Sequence, residues 1–135
     1  MIFKRQRTLL EFLDVCGKPL RGVDFQKLLF LFCQEEEEPS YVFVPYRFGC
    51  FSFTSYADKR KLMDKGLLEA EEDRWVLSAD GRKEAGKHPD ARMLAGTILR
   101  EVPQRGDALL AVVYRRFPWH ASRSEIAEGV LKGDA

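Results

Sequence analysis

The sequence predicts a mainly α-helical fold with one small β-hairpin, and three observations carry that expectation. Apolar residues recur at helical spacing in two early stretches, Leu9, Phe12, Leu13, Cys16 and then Phe25, Leu28, Leu29, Phe32, Cys33. A third helical stretch meets Gly66 and is followed by two short apolar runs, Leu67-Leu68 and Trp75-Val76-Leu77, on either side of a charged turn, which is the pattern of a hairpin. From Ser78 onward the helical signals return.

Each element has its own local reason. The first helix should stop at Gly17, because glycine adopts the left-handed conformation that closes a helix. Lys4, Arg5 and Arg7 stand at its start, where the macrodipole disfavours cations, so helix stability does not account for them. After the Gly17, Pro19, Gly22 turn, Asp24 is the candidate cap of the second helix. Phe30 and Leu31 add a second apolar face there, so this helix should be central and buried nearly all round, with Phe25, Leu28, Leu29 and Phe32 in the core. Glu35 to Glu38 and Pro39 end it, and the four glutamates read as a solvated loop or, alternatively, as a site for a cation or basic partner. Tyr41 to Tyr46 reads as an edge strand, since Pro45 cannot donate to a ladder, and Arg47 to Phe53 reads as an aromatic turn around Gly49. Ser55 and Asp58 have the spacing of a capping box that opens the third helix, running to Lys65. The remainder divides at Pro89, Pro103 and Pro118 into short helices, and Ser122 with Glu125 opens a last one.

Two or three helices, a helix stopped by glycine, then a hairpin is the order of a winged helix-turn-helix. The expectation is a winged-helix-like core over residues 1–87 and a C-terminal helical extension over 88–135 packed on it.

Composition narrows the function classes. The 135 residues are 45% apolar and 32% charged, ordinary for a globular domain. No apolar run reaches the ~20 residues of a membrane span, and no apolar stretch follows the basic start as a secretory signal would require. Three cysteines, Cys16, Cys33 and Cys50, form an odd set with no close pair, which suits a reduced cytoplasm. Lys and Arg number 22 against 21 Asp and Glu, leaving +1. That balance hides alternating blocks: residues 59–66 hold four cations and one acid (+3), and residues 67–80 hold one cation and five acids (−4). Any phosphate contact must therefore come from a local patch.

Three segments together, DFQKLLFLF from Asp24, YVFVPYRFGCFSF from Tyr41 and YADKRKLMDKGL from Tyr56, resemble the N-terminal region of bacterial proteins whose C-terminal half belongs to the domain of unknown function numbered four-eight-eight. The run Arg105-Gly106-Asp107, then Val113-Tyr114-Arg115 and Ser124-Glu125-Ile126-Ala127, is similar to their next segment. The first half also has a looser likeness to the Panacea antitoxin domain. The resemblance implies a winged-helix-like module and supplies no substrate, cofactor or catalytic residue. Members of that family continue into a further domain where catalysis would reside, so it implies a fragment or a stand-alone regulator.

Candidate sites follow from residue type. Lys59, Arg60, Lys61 and Lys65 on the third helix are the expected phosphate or base-edge contacts, with Arg5 and Arg7 as outlying phosphate contacts. The same helix without a ligand is a solvated face on which Asp58 neighbours Lys61 and Lys65. Glu69, Glu71, Glu72 and Asp73 in the hairpin would repel a phosphate unless the hairpin points away. The density of rings from Tyr41 to Tyr56 either stacks bases or packs a core. Arg115, Arg116 and Trp119 have the character of interface anchors; alternatively Val113, Phe117 and Trp119 cover the core. His88 and His120 lack metal-ligand spacing, Cys50 reads as a packed residue, and there is no phosphate loop or nucleophile elbow. The expectation is a non-catalytic module without metal or cofactor that binds nucleic acid, duplex DNA first, in a bacterial regulatory or defence-type system. The alternative is a protein-interaction adaptor, antitoxin-like or a subunit of a larger complex, and a more distant option is the regulatory half of an enzyme whose catalytic domain is separate.

Overall fold

The computed structural model describes residues 2–46, 49–87 and 89–121. The fold is mainly α-helical with small antiparallel β-elements. Helix α1 (Lys4–Cys16) begins where the Gln6 side chain accepts the Phe3 backbone N–H at 3.0 Å. It ends at Gly17, whose φ of 75° lies in the left-handed region that glycine tolerates. Strand β1 (Leu20–Arg21) runs directly into α2 (Gly22–Glu35). A Cβ on Gly22 would lie 2.9 Å from the Tyr56 hydroxyl, so a larger residue at this close strand-to-helix junction would displace that ring.

Asp24 does not cap α2, whose N-cap is Arg21. Pairing of β1 starts the helix earlier than the cap signal suggests. Asp24 instead sits buried in the first turn, where its Oδ1 accepts the Gly106 N–H at 2.8 Å. It thereby satisfies an open donor at the start of α6 (Gly106–Arg116). The rest of α2 is the expected central helix: Phe25, Leu28, Leu29, Phe30, Leu31, Phe32 and Cys33 are all buried. Phe12 of α1 meets Phe25 and Phe32 edge-to-face.

Between α2 and α3 (Phe53–Asp64) lies a second hairpin, where the sequence predicts a strand followed by an aromatic turn. Strands β2 (Val44–Tyr46) and β3 (Gly49–Phe51) pair antiparallel with Val44 opposite Phe51. The connection from α2 to α3 therefore spans residues 36–52, far longer than the 3–4-residue turn of a tight helix-turn-helix. Helix α3 starts one turn before the expected capping box. Its N-cap is Ser52, whose Oγ accepts the Ser55 N–H at 3.2 Å, so Ser55 and Asp58 both lie inside the helix. The expected stop holds: α3 ends at Asp64, and Gly66 has φ 74°.

The hairpin over Leu67 to Leu77 also forms. Leu68 bridges Leu77, and Glu69 N–H donates to the Val76 carbonyl at 2.8 Å. Its return strand β4 (Arg74–Trp75) pairs with β1, Leu20 opposite Trp75. Trp75 is fully buried and stacks on Phe25 with ring centroids 4.1 Å apart, which fixes the hairpin to the centre of the molecule.

Helix α4 (Ala79–Gly86) is capped by Ser78, a short 3-10 turn (Pro89–Ala91) leads into α5 (Arg92–Glu101), and α6 is followed by α7 (Pro118–Ala121). Ala95, Ile98, Val102, Leu109 and Val113 belong to the same core cluster as Leu9, Phe25 and Trp75, so the described residues after 88 share the core of those before it. Glu11, buried in α1, accepts the Ala91 N–H at the start of α5. Met93 of α5 is exposed. The expected capping box at Ser122 and Glu125 lies outside the described residues. Among the described residues no helix is long and apolar enough to cross a membrane.

Candidate nucleic-acid interface

Helix α3 is held from three sides, and each tie involves a polar side chain. Gln26 of α2 binds its N-terminus twice: Oε1 accepts the Ser52 N–H at 2.9 Å, and Nε2 donates to Ser55 Oγ at 2.7 Å. Asp58, one turn further on, is completely buried. It accepts hydrogen bonds from Arg5 Nε (2.7 Å) and Nη2 (3.3 Å), from Gln6 Nε2 (3.0 Å) and from the Tyr41 hydroxyl (2.8 Å). Burial raises the Asp58 pKa, but the hydrogen bonds from Arg5, Gln6 and Tyr41 outweigh it and hold the carboxyl below its ordinary value. Burial, then the neighbouring Asp58 carboxylate, pushes the Tyr41 hydroxyl up, so it remains a donor.

Lys59 makes the third tie. It is 3% exposed, and its Nζ donates to the carbonyls of Glu71 (2.7 Å) and Glu72 (3.1 Å) while lying 5.2 Å from the Trp75 ring centroid. Burial lowers its pKa, and the acids of the turn work against that. The expected phosphate contact at Lys59 is therefore corrected: its ammonium is spent on holding the hairpin turn against α3, with no face left for a ligand. Arg5 is likewise engaged, paired with Asp58 although its side chain stays 37% exposed. The reading of Asp58 as part of a solvated face is also corrected, because that edge of α3 is the one that faces α1.

Arg60, Lys61 and Lys65 are exposed, as is Asp64 among them. At about 100° per residue, Lys61 stands about 200° and Lys65 about 240° around the axis from Lys59. The hairpin turn and these two cations therefore occupy different flanks of α3. Glu71 is paired with Arg74 at 2.9 Å, and Glu69, Glu72 and Asp73 are exposed on the turn. Arg7 is half-buried on α1.

The ring-rich segment packs rather than presenting free faces throughout. Tyr41 and Phe43 are buried, and Phe51 stacks on Tyr56 at 4.9 Å, whereas Phe53 at the first position of α3 is 62% exposed. Cys33 and Cys50 are buried and burial pushes both thiols up to about 12, consistent with packing roles. Arg47 and His88 lie outside the described residues, as does the side chain of His120. Among the described residues no group of three His, Cys, Asp or Glu is placed to hold a metal ion.

The three candidate interface residues separate from the core. Arg115 and Arg116 are exposed in the last turn of α6, where cations suit the macrodipole, and Trp119 of α7 is 59% exposed. Phe117 is the ring that turns inward, 4.9 Å from Phe30. Trp119 thus does not cover the core as Val113 and Phe117 do.

Sequence reasoning missed Asp58, Lys59 and Gln26 as the residues that position α3. The one local signal was Ser52, three residues before Ser55, which competes with Ser55 as the cap. Comparison with family models, curated proteins and solved structures found no match to the chain.

Proposed function

We propose that this chain is a non-catalytic nucleic-acid-binding module of winged-helix type that takes duplex DNA, of the kind used in bacterial cytoplasmic regulatory or defence systems. The observation that supports this reading most is the division of labour on α3. Its N-terminal half is clamped by Gln26, Asp58 and Lys59, while Arg60, Lys61 and Lys65 further along are exposed. A helix held this firmly presents its cations without losing further order on binding. The helix–strand–helix–hairpin–helix–hairpin order, with β1 pairing the return strand of the second hairpin, supports it as well. The long connection between α2 and α3 departs from the usual tight turn.

The test is the salt dependence of duplex binding by fluorescence anisotropy. With Lys59 removed from the contact set, Arg60, Lys61 and Lys65 predict a log–log slope of about −2.7, from ~0.9 per phosphate. Lys61→Glu with Lys65→Glu should weaken binding to all sequences and flatten the slope by about 1.8. Folded protein that binds neither duplex nor single strands at low salt would refute the reading. The adaptor reading would then lead, favoured by the exposure of Trp119 beside Arg115 and Arg116 and by the acids of the hairpin turn.

A further inference from the structure

A cavity of about 310 Å³ opens between the C-terminal ends of α1 and α5. Val15 and Leu99 give it an apolar wall, and Lys18, Arg100 and Arg105 bring three cations to it with no carboxylate among the lining residues. None of the three cations is ion-paired among the described residues. Arg100 Nη2 reaches only the Thr97 hydroxyl at 3.4 Å, Arg105 Nη1 donates to the carbonyls of Val102 and Gln104, and Lys18 has no side-chain hydrogen bond. The nearest acid along α1, Asp14, is already held by Arg92 at 2.7 Å and Arg82 at 3.6 Å.

Two helix C-termini attract cations, which accounts for part of this charge. It does not account for Gly96. Glycine inside a helix costs about 1 kcal/mol relative to alanine, and Gly96 lies in mid-α5 with ordinary helical backbone. A Cβ there would come 3.3 Å from Arg100 Nη1 and 3.8 Å from Val15. The missing side chain gives the Arg100 guanidinium a few tenths of an ångström more room at the cavity wall. Val15 is ten residues from Arg5 on α1, about 15 Å along the axis, so this cavity is separate from α3.

We propose that the cavity binds a small organic anion, an apolar body carrying one phosphate or carboxylate group. The apolar wall takes the body, and the two guanidinium groups with Lys18 take the oxygens, where like charges otherwise repel one another. Phenyl phosphate and benzoate probe the two head groups, and benzyl alcohol is the neutral control, each titrated at low salt and followed by ¹H–¹⁵N NMR. At least one anion should move the Val15, Gly96 and Leu99 signals saturably while benzyl alcohol does not, and which anion binds more tightly identifies the head group. Arg100→Gln with Arg105→Gln should weaken that binding by about tenfold or more. Gly96→Leu, which leaves every cation in place and fills the cavity, should abolish it. Lys18→Gln, at an exposed position, serves if loss of the Arg105 backbone contacts unfolds the double variant, and should weaken binding severalfold. No saturable shift with either anion, equal binding of benzyl alcohol, or binding unchanged in the folded variants would overturn the proposal.

Discussion

Replacing Asp58 with alanine tests whether the buried carboxylate organises α3. The substitution leaves three donors without their acceptor: Arg5, Gln6 and Tyr41. Gln6 is 2% and Tyr41 3% exposed, so water cannot readily replace the carboxylate for either. Each stranded buried donor costs about 1–3 kcal/mol, giving about 2–6 kcal/mol for the two. Arg5 is more than a third exposed and rehydrates, so its share is small. That loss is a large part of the ~5–15 kcal/mol typical of a whole domain. Urea unfolding followed by circular dichroism should show a lower midpoint with an unchanged m-value. Asp58→Asn, which keeps the volume and one acceptor, should lose less. The pH dependence has a definite sign. The folded Asp58 pKa lies below its ordinary value, so its contribution is complete above the unfolded pKa and disappears as pH falls through the depressed folded one. Wild type and Asp58→Asn should therefore differ most at neutral pH and converge in strong acid. A loss below about 1 kcal/mol for Asp58→Ala at neutral pH would refute the reasoning, since it would mean the donors find other acceptors.

Further substitutions probe two of the other buried charges, Glu11 and Lys59. Glu11 is shifted upward, by burial first and against the hydrogen bond from Ala91, so the folded state takes up its proton at higher pH than the unfolded state and stability falls as pH rises through this window. Glu11→Gln keeps an acceptor for Ala91 and should be more stable than wild type at neutral pH, the difference vanishing below the unfolded carboxylate range; chemical unfolding across pH checks it. Lys59→Met removes a buried ammonium from two carbonyls and the Trp75 face, so hydrogen exchange at Glu69 to Arg74 should accelerate, whereas Lys61→Met should leave both exchange and stability within about 0.5 kcal/mol of wild type. Equal exchange in the two variants would show that Lys59 does not anchor the turn.

The features legible in the sequence are those with local causes. The apolar periodicity of residues 9–16 and 25–33 places α1 and the central α2, because each face must be buried against something whatever its partner. The glycines at 17 and 66 stop helices because only their backbone adopts φ near 75° at little cost. The hairpin from Leu67 to Leu77 follows from two apolar runs and a charged turn. The exposed cations of α3, Arg60, Lys61 and Lys65, were legible for the same reason. The fate of the other polar residues was settled only in three dimensions. Asp58 meets Arg5 across 53 positions of sequence, Asp24 meets Gly106 across 82, and Lys59 reaches carbonyls 12 and 13 residues away. A charged residue is tolerated inside only where opposing donors or acceptors arrive from other elements, and helical spacing carries no information about that arrival. Periodicity alone therefore reads Asp58 and Lys59 as part of a solvated basic helix, while packing makes them the anchors that hold the N-terminal half of α3.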